Sequence, residues 1–180
     1  MVQLVFAVGS LRENSFNRKA MERTAALLSS QAHITYAQFT DLPLLNEDDE
    51  PFTPIAVVRE RQKLQEAQGL WLFCPEYNHS IPGGLKNYLD WMSRPTRPGD
   101  RRSAVSQGVK VAVTSVAGSS AGAHVRAALA QTLPVMGAQL VCDEGFTLHD
   151  EQAVKQNWRV PIDIARALQQ QADVFLAALA

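Results

Sequence analysis

Two segments of this chain combine hydroxyl, amide and charged side chains at spacings suited to a flat, anionic ligand. The first, Gly9-Ser10-Leu11-Arg12-Glu13-Asn14-Ser15-Phe16-Asn17, follows the apolar run Leu4 to Val8 and opens an amphipathic stretch. Gly9 permits a close turn, Ser10 and Ser15 can donate hydroxyl protons and Asn17 an amide proton, and Arg12 adds a permanent charge in a planar donor fork. A helix starting here aims its unsatisfied amides and positive dipole end at the same place, which suits a phosphate monoester without a metal. The loop lacks the lysine and glycine spacing of a triphosphate-binding loop, and the chain has no G-x-G-x-x-G fingerprint. The purely structural reading of the loop has Ser10, Asn14 and Ser15 capping a helix while Arg12 lies in solvent.

The second segment, Pro75-Glu76-Tyr77-Asn78-His79-Ser80-Ile81-Pro82-Gly83-Gly84-Leu85-Lys86-Asn87, runs from an apolar strand through a turn into a helix. Tyr77 can lie against a ring, Asn78 and Ser80 offer polar side chains, and backbone amides can address ring oxygens or nitrogens. Gly83 and Gly84 reduce steric obstruction near the turn. A third loop, Ser115-Val116-Ala117-Gly118-Ser119-Ser120-Ala121-Gly122, again follows an apolar strand with small residues that let backbone approach a planar ligand. Three such loops at successive strand ends are hard to explain by folding alone.

The elements that must position these loops are legible in the hydropathy pattern. Strands are predicted at Leu4 to Val8, Ile34 to Phe39, Gly69 to Cys74, Val109 to Val113 and Gln139 to Cys142. Helices are predicted from about Ser15 to Ser29, Ile55 to Gln68, Pro82 to Ser93, Ala123 to Met136 and within Arg159 to Leu179. Proline at the start of the third helix costs least there, because its missing N–H is unpaired in any case. Strands apolar throughout, separated by helices, imply an α/β fold with a five-stranded parallel sheet covered on both faces. Its expected order is 2-1-3-4-5, the flavodoxin-like three-layer sandwich, with ligands in the crevice at the strand carboxyl ends. There is no internal repeat or interdomain linker, so residues 1–180 read as one domain.

Composition bounds the function classes. The length is ample for a single core, and the net charge of -1 leaves no basic field to attract nucleic acid. Cys74 and Cys142 lie far apart, so neither a disulfide framework nor a CxxC site is expected, and a reducing cytoplasm is the default compartment. The first apolar run lacks a preceding basic segment and reads as a strand instead of a signal peptide, and no apolar stretch is long enough to span a membrane.

The motifs Gly-Ser-Leu-Arg-x-x-Ser-x-Asn and Pro-Glu-Tyr-Asn-x-Ser-Ile-Pro-Gly-x-Leu-Lys-Asn resemble the NADPH-dependent FMN reductase family, particularly its chromate- and quinone-reducing branch. The resemblance extends to Asp41-Leu42-Pro43-Leu44 with the acidic run after it, and to Asp90-Trp91-Met92-Ser93-Arg94. It implies a flavodoxin-like fold, non-covalent FMN, and two-electron transfer from NADPH or NADH to a small soluble acceptor such as a quinone, with azo compounds, chromate or free flavin as further acceptors. It also implies self-association as a homodimer or homotetramer, with a neighbouring subunit near the flavin.

Position by position, the resemblance assigns Ser10, Arg12, Ser15, Phe16 and Asn17 to the phosphate loop. Pro75, Glu76, Tyr77, Asn78 and Ser80 match the loop at the ring and ribityl chain, and Ser115 and Gly118 correspond to the third loop. The third loop, Ser119-Ser120-Ala121, has fewer adjacent glycines than in many relatives. No side chain is expected to act as nucleophile, since hydride chemistry belongs to the flavin. The alternative function is a flavodoxin-like carrier that holds FMN and exchanges single electrons with protein partners. Such carriers tend to be strongly acidic, and this chain is nearly neutral.

Other reactive residues have two readings each. His79 either orients a substrate or supplies a proton, or is an exposed loop residue. Cys74 is either a core residue or a reactive thiol, and Trp91 either packs its helix or a subunit contact or forms a substrate platform. Glu76 offers an intersubunit ion pair or a solvated carboxylate, and Arg97, Arg101 and Arg102 attract a nicotinamide-cofactor phosphate or form a solvated loop. The acidic run from Asp41 to Pro51 reads as a solvated loop, or as the border of a substrate entrance or subunit contact. His124 and His149 lack metal-ligand spacing with a carboxylate or cysteine, so no metal site is expected.

Overall fold

Strand β1 (Val2–Val8) is an interior strand of the sheet and takes β2 (Ala32–Tyr36) on one side and β3 (Gly69–Phe73), the central strand, on the other. The computed structural model describes residues 1–148 and 158–180. Strands β4 (Lys110–Ala117) and β5 (Gln139–Thr147) continue the parallel sheet outward, giving the expected order 2-1-3-4-5. Helices α1 (Phe16–Leu27), α2 (Ile55–Glu66), α3 (Gly83–Ser93), α4 (Ala123–Val135) and α5 (Ile162–Leu179) complete the described framework.

The sheet is covered on both faces because successive strand residues point to opposite sides. Leu4, Phe6, Trp71, Phe73 and Ala112 pack with Ala20 and Met21 of α1 and with Leu168, Ala172 and Phe175 of α5. Val5, Ala7, Leu70, Leu72, Val111 and Val113 pack against the apolar faces of α2, α3 and α4. Trp71 is the hub of the first layer, stacked on Phe73 at 5.6 Å and edge-on to Phe6 and Phe175. The second layer buries Trp91 completely, and its indole N–H donates to the Pro43 carbonyl at 2.8 Å. Trp91 therefore packs its own helix, and the platform and subunit-contact readings are corrected by that burial. Asn87 donates to the same carbonyl and accepts from Leu45 N–H, so α3 anchors the connection that follows Asp41. In the acidic run, Glu47 and Glu50 pair with Arg94, so part of the run is tied down as a short 3-10 turn.

Three strands, β2, β4 and β5, depart most from their predicted extents, while β1 and β3 shift by one or two residues at one end. Strand β2 begins at Ala32 and ends at Tyr36, earlier than the alternation suggests. Strand β4 runs four residues past Val113 because its polar continuation, Thr114 and Ser115, is buried and fully paired. The Trp71 indole donates to Thr114 Oγ1 at 2.9 Å, that hydroxyl donates to Gln171 Oε1 at 2.7 Å, and Gln171 Nε2 donates to the Val113 carbonyl at 2.8 Å. Strand β5 continues to Thr147 through Asp143 and Glu144, polar residues that an edge strand with one open side tolerates.

The Trp71, Thr114 and Gln171 chain ties β3, β4 and α5 together. Thr114→Val keeps the shape but leaves two buried polar atoms unpaired, each costing about 1–3 kcal/mol. Urea unfolding should report a loss of about 2–4 kcal/mol, and a change under about 0.5 kcal/mol would contradict the network's role.

Candidate functional site

The carboxyl ends of β1, β3 and β4 lie side by side, held in register by Gly9 N–H donating to the Phe73 carbonyl and Cys74 N–H to the Thr114 carbonyl, both at 2.8 Å. The three loops leaving them meet around a cavity of about 320 Å³. Its lining includes Ser10, Arg12, Ser15, Phe16 and Asn17 from the first loop, Pro75, Glu76 and Tyr77 from the second, and Gly118 from the third. Nine of the residues singled out from sequence thus converge on one space. Val116, Ala117 and Leu148 also line it; they carry no polar signal, and Leu148 follows a strand whose full length was not legible.

The first loop combines capping with ligand-facing groups. Ser15 is the N-cap of α1, its hydroxyl accepting from Arg18 N–H. Ser10 Oγ lies 3.4 Å from the Tyr77 hydroxyl, joining the first loop to the second. Arg12 is exposed; its guanidinium donates to the Asn14 carbonyl at 2.9 Å and lies 5.0 Å from the Phe16 ring centre. Asn17 is buried and exchanges two 2.9 Å hydrogen bonds with the backbone of Val116, so its side chain fastens α1 to β4. The first turn of α1 contains no acidic residue, leaving the positive end of the helix uncompensated by its own sequence.

The second loop turns sharply. Tyr77 and Ser80 exchange backbone hydrogen bonds of 3.2 and 2.9 Å, and the residues between them, Asn78 and His79, have φ of 50° and 58°. Positive φ at both central positions is the geometry of a primed turn, costly for residues other than glycine and tolerated best by asparagine. Asn78 and Ser80 are exposed at this tip and do not line the cavity, although the neighbouring Tyr77 does. Ser115 is buried as well, and its hydroxyl donates to the Cys74 carbonyl at 2.6 Å; it clamps β4 to β3 and does not reach the cavity.

Glu76 is not a free solvated carboxylate. One carboxylate oxygen accepts from the Ser120 hydroxyl at 2.8 Å, and the other accepts from the N–H groups of His124 and Val125 at 2.9 and 3.2 Å. Helix α4 has Gly122 at its N-cap with no side-chain cap of its own, so Glu76 supplies the cap from another loop. Gly122 is required there: its φ is 69°, and a Cβ would collide with the Ser115 side chain. Burial opposes ionisation of Glu76, but hydrogen bonds from Ser120, Val125 and His124 outweigh it and hold the carboxyl below its ordinary range.

Residues outside the cavity also resolve. Cys74 is fully buried, and burial pushes its thiol well above the range of a reactive thiolate, as expected of a core residue. Arg97, Arg101 and Arg102 do not line the cavity, and Arg97 pairs with Asp100. His124, which has no ligand spacing in sequence, stacks on His79 with ring centres 4.0 Å apart and falls within reach of Glu76. His149 lies outside the described residues. A larger depression of about 500 Å³ borders the β1 and β2 ends and shares Ser10, but it draws nothing from the loops after β3 and β4.

Glu76→Gln preserves shape while removing the charge that faces α4. A hydrogen bond to an ionised group contributes about 1.5–3 kcal/mol, so unfolding at neutral pH should cost about 1–2 kcal/mol less than for the parent chain. Equal stability of the two proteins would show that the cross-loop cap holds nothing.

The model of the NADPH-dependent FMN reductase family matches residues 2–152. The chain is 31% identical over 162 residues to a 2-hydroxy-1,4-benzoquinone reductase of Burkholderia sp, covering 88% of this chain and 85% of that protein. It is also 31% identical over 144 residues to a quinone reductase of Escherichia coli K12, covering 78% and 73%. Among solved structures, the flavoenzyme FerB, an NAD(P)H:(acceptor) oxidoreductase from Paracoccus denitrificans, superposes with a TM-score of 0.84 at 26% identity, covering 99% of this chain and 97% of that one. With the sheet order and the three converging loops, these matches identify an oxidoreductase that uses FMN and NAD(P)H, and the chain belongs to the NADPH-dependent FMN reductase family.

Proposed function

We propose that the chain is an FMN-dependent NAD(P)H oxidoreductase that reduces quinones or similar small soluble acceptors, with FMN held in the cavity at the ends of β1, β3 and β4. The observation that carries the placement is the contrast between two helix N-termini at the crevice. That of α4 is filled by the Glu76 carboxylate, whereas that of α1 has no acidic residue in its first turn and faces a cavity lined by Ser10, Arg12 and Ser15. A dianionic phosphate monoester matches this donor set, and the cavity volume falls within the usual range for small-ligand sites. Among the described residues, the only lining carboxylate belongs to Glu76, and its charge is already engaged by α4.

FMN, when bound, would supply the two-electron hydride chemistry between NAD(P)H and the acceptor, and a ping-pong order would follow if donor and acceptor use the site in turn. The chain's own residues bind and orient. Arg12, Ser10, Ser15 and the Phe16 backbone amide hold the phosphate, and Asn17 keeps α1 fixed against β4 while they do so. Pro75 and Tyr77 line the cavity, and Asn78 and Ser80, on the exposed turn outside it, would meet the ring edge where it emerges, through a turn whose positive φ values fix the direction of its amides. Gly118 leaves room in the third loop, where a Cβ meets no atom within 4 Å.

Quinones are the favoured acceptors because both relatives above are quinone reductases by name. Residues 1–180 are read as one FMN-binding domain, supported by the packing of the described helices on a single sheet. Self-association is part of the reading, and the exposed Leu44, Phe52 and Ile55 offer an apolar surface for it. The free thiols Cys74 and Cys142 suit a reducing cytoplasm.

Steady-state rates measured over a grid of NADPH and benzoquinone concentrations test the function. Parallel double-reciprocal lines are expected, and intersecting lines would contradict alternating use of one site. Arg12→Ala should weaken FMN binding by about one to two decades in a fluorescence titration, because a charge-assisted hydrogen bond is lost. Unchanged affinity would remove Arg12 from the phosphate site. Asn78→Ala should alter the bound-flavin spectrum and the reduction rate, with only a small loss of stability because alanine is less suited than asparagine to the positive φ of this position, and an unaltered spectrum and rate would count against its placement at the ring.

A further inference from the structure

The cross-loop cap brings together three side chains that the flavin reading does not use as a group. Glu76, His79 and His124 each offer a ligand atom, and these atoms all lie within 4.8 Å of one another. Two come from the loop after β3 and one from the second position of α4, which is why no sequence spacing announces the cluster. We propose that Glu76, His79 and His124 form a binding site for one divalent transition-metal ion of the zinc class.

Chemistry and geometry both support this. Two imidazoles and one carboxylate with a position open to solvent form a common three-ligand zinc arrangement. Mixed nitrogen and oxygen ligation also accepts nickel and copper, whereas calcium and magnesium prefer all-oxygen shells. Each carboxylate oxygen has two lone pairs, and the Glu76 oxygen bonded to Ser120 accepts only that one bond, so a lone pair remains for a metal.

The backbone supports of the three ligands are already cross-tied. Glu76 is held by three hydrogen bonds, one of them from the His124 N–H, and His79 sits on the primed turn closed by Tyr77 and Ser80. Metal binding therefore has little chain to order. What must move is a ring. The imidazoles are nearly parallel, 18° apart, whereas ligation of one ion requires each ring plane to contain the metal. Tetrahedral ligands on zinc are about 3.3 Å apart, given bonds near 2.0–2.1 Å. Both histidines are exposed, so one ring can turn out of the stack and close the remaining gap.

An ion there would bridge the loop after β3 to α4 and add positive charge beside Glu76, which lines the proposed flavin cavity. On the flavin reading, this couples metal occupancy to access at the cavity mouth. The binding itself does not rest on that reading, and its test does not measure turnover.

Isothermal titration of the FMN-loaded protein with zinc chloride tests the site, with parallel titrations of His124→Ala, His79→Ala and His33→Ala. His33 lies on β2, away from the cluster, and controls for general histidine binding. The expected result is saturable binding of one equivalent, weakened at least tenfold in His124→Ala and in His79→Ala and unchanged in His33→Ala. Circular dichroism melting of each variant confirms that the fold persists. Absence of saturable binding to the parent protein would overturn the proposal. Binding that both His79→Ala and His124→Ala retain would overturn it too, by placing the ion elsewhere and leaving the two rings as a packing contact.

Discussion

The Glu76 carboxylate on the N-terminus of α4 is the interaction on which the arrangement of the crevice depends. It joins the loop after β3 to the loop after β4 through three hydrogen bonds, and it fills a helix end that has no cap of its own. A carboxylate lining a phosphate-sized cavity would ordinarily repel an anion. Here its charge faces the helix, so one group sets the loop geometry and leaves the neighbouring N-terminus of α1 as the electropositive end of the site.

The rest of the molecule holds those loops at fixed separation. Asn17 ties α1 to the end of β4, Ser115 ties β4 to the end of β3, and the Trp71, Thr114 and Gln171 chain ties both strands to α5. These polar side chains are buried in the interior, and each is paired with backbone or with another side chain, which avoids the cost of unsatisfied groups. The site is therefore preorganised by ordinary structural bonds a few residues behind the lining. Backbone strain lies in the loops themselves, at Asn78 and His79, which adopt positive φ between the paired Tyr77 and Ser80, and at Ala121 ahead of α4. Among the described residues, no helix is long and apolar enough to cross a membrane.

Much of this was legible in the sequence because it is local. Apolar runs followed by Gly-Ser or Pro-Glu loops and amphipathic helices specify parallel strands and their carboxyl-end loops, and nine residues read from those loops line one cavity. What was not legible depends on contacts between loops. Glu76 looks like a free acid until α4 arrives from 48 residues away, and the Asn17 amide looks ligand-facing until Val116 takes both of its bonds across 99 residues. Thr114 and Ser115 resemble a strand end because their polarity hides the fact that Gln171 and Cys74 satisfy them. His124 has no partner at any short spacing, and only the turn at Asn78 and His79 brings an imidazole and a carboxylate to it.

The proposed function requires that this crevice hold FMN and let NADPH reduce it directly. It is tested most directly by the visible absorption spectrum of the FMN-reconstituted protein under anaerobic conditions, recorded before and after NADPH and again after benzoquinone. Bleaching of the flavin band by NADPH and its recovery on adding the quinone are expected. A bound flavin whose spectrum is unmoved by NADPH and NADH, or a protein that retains no FMN, would contradict that function.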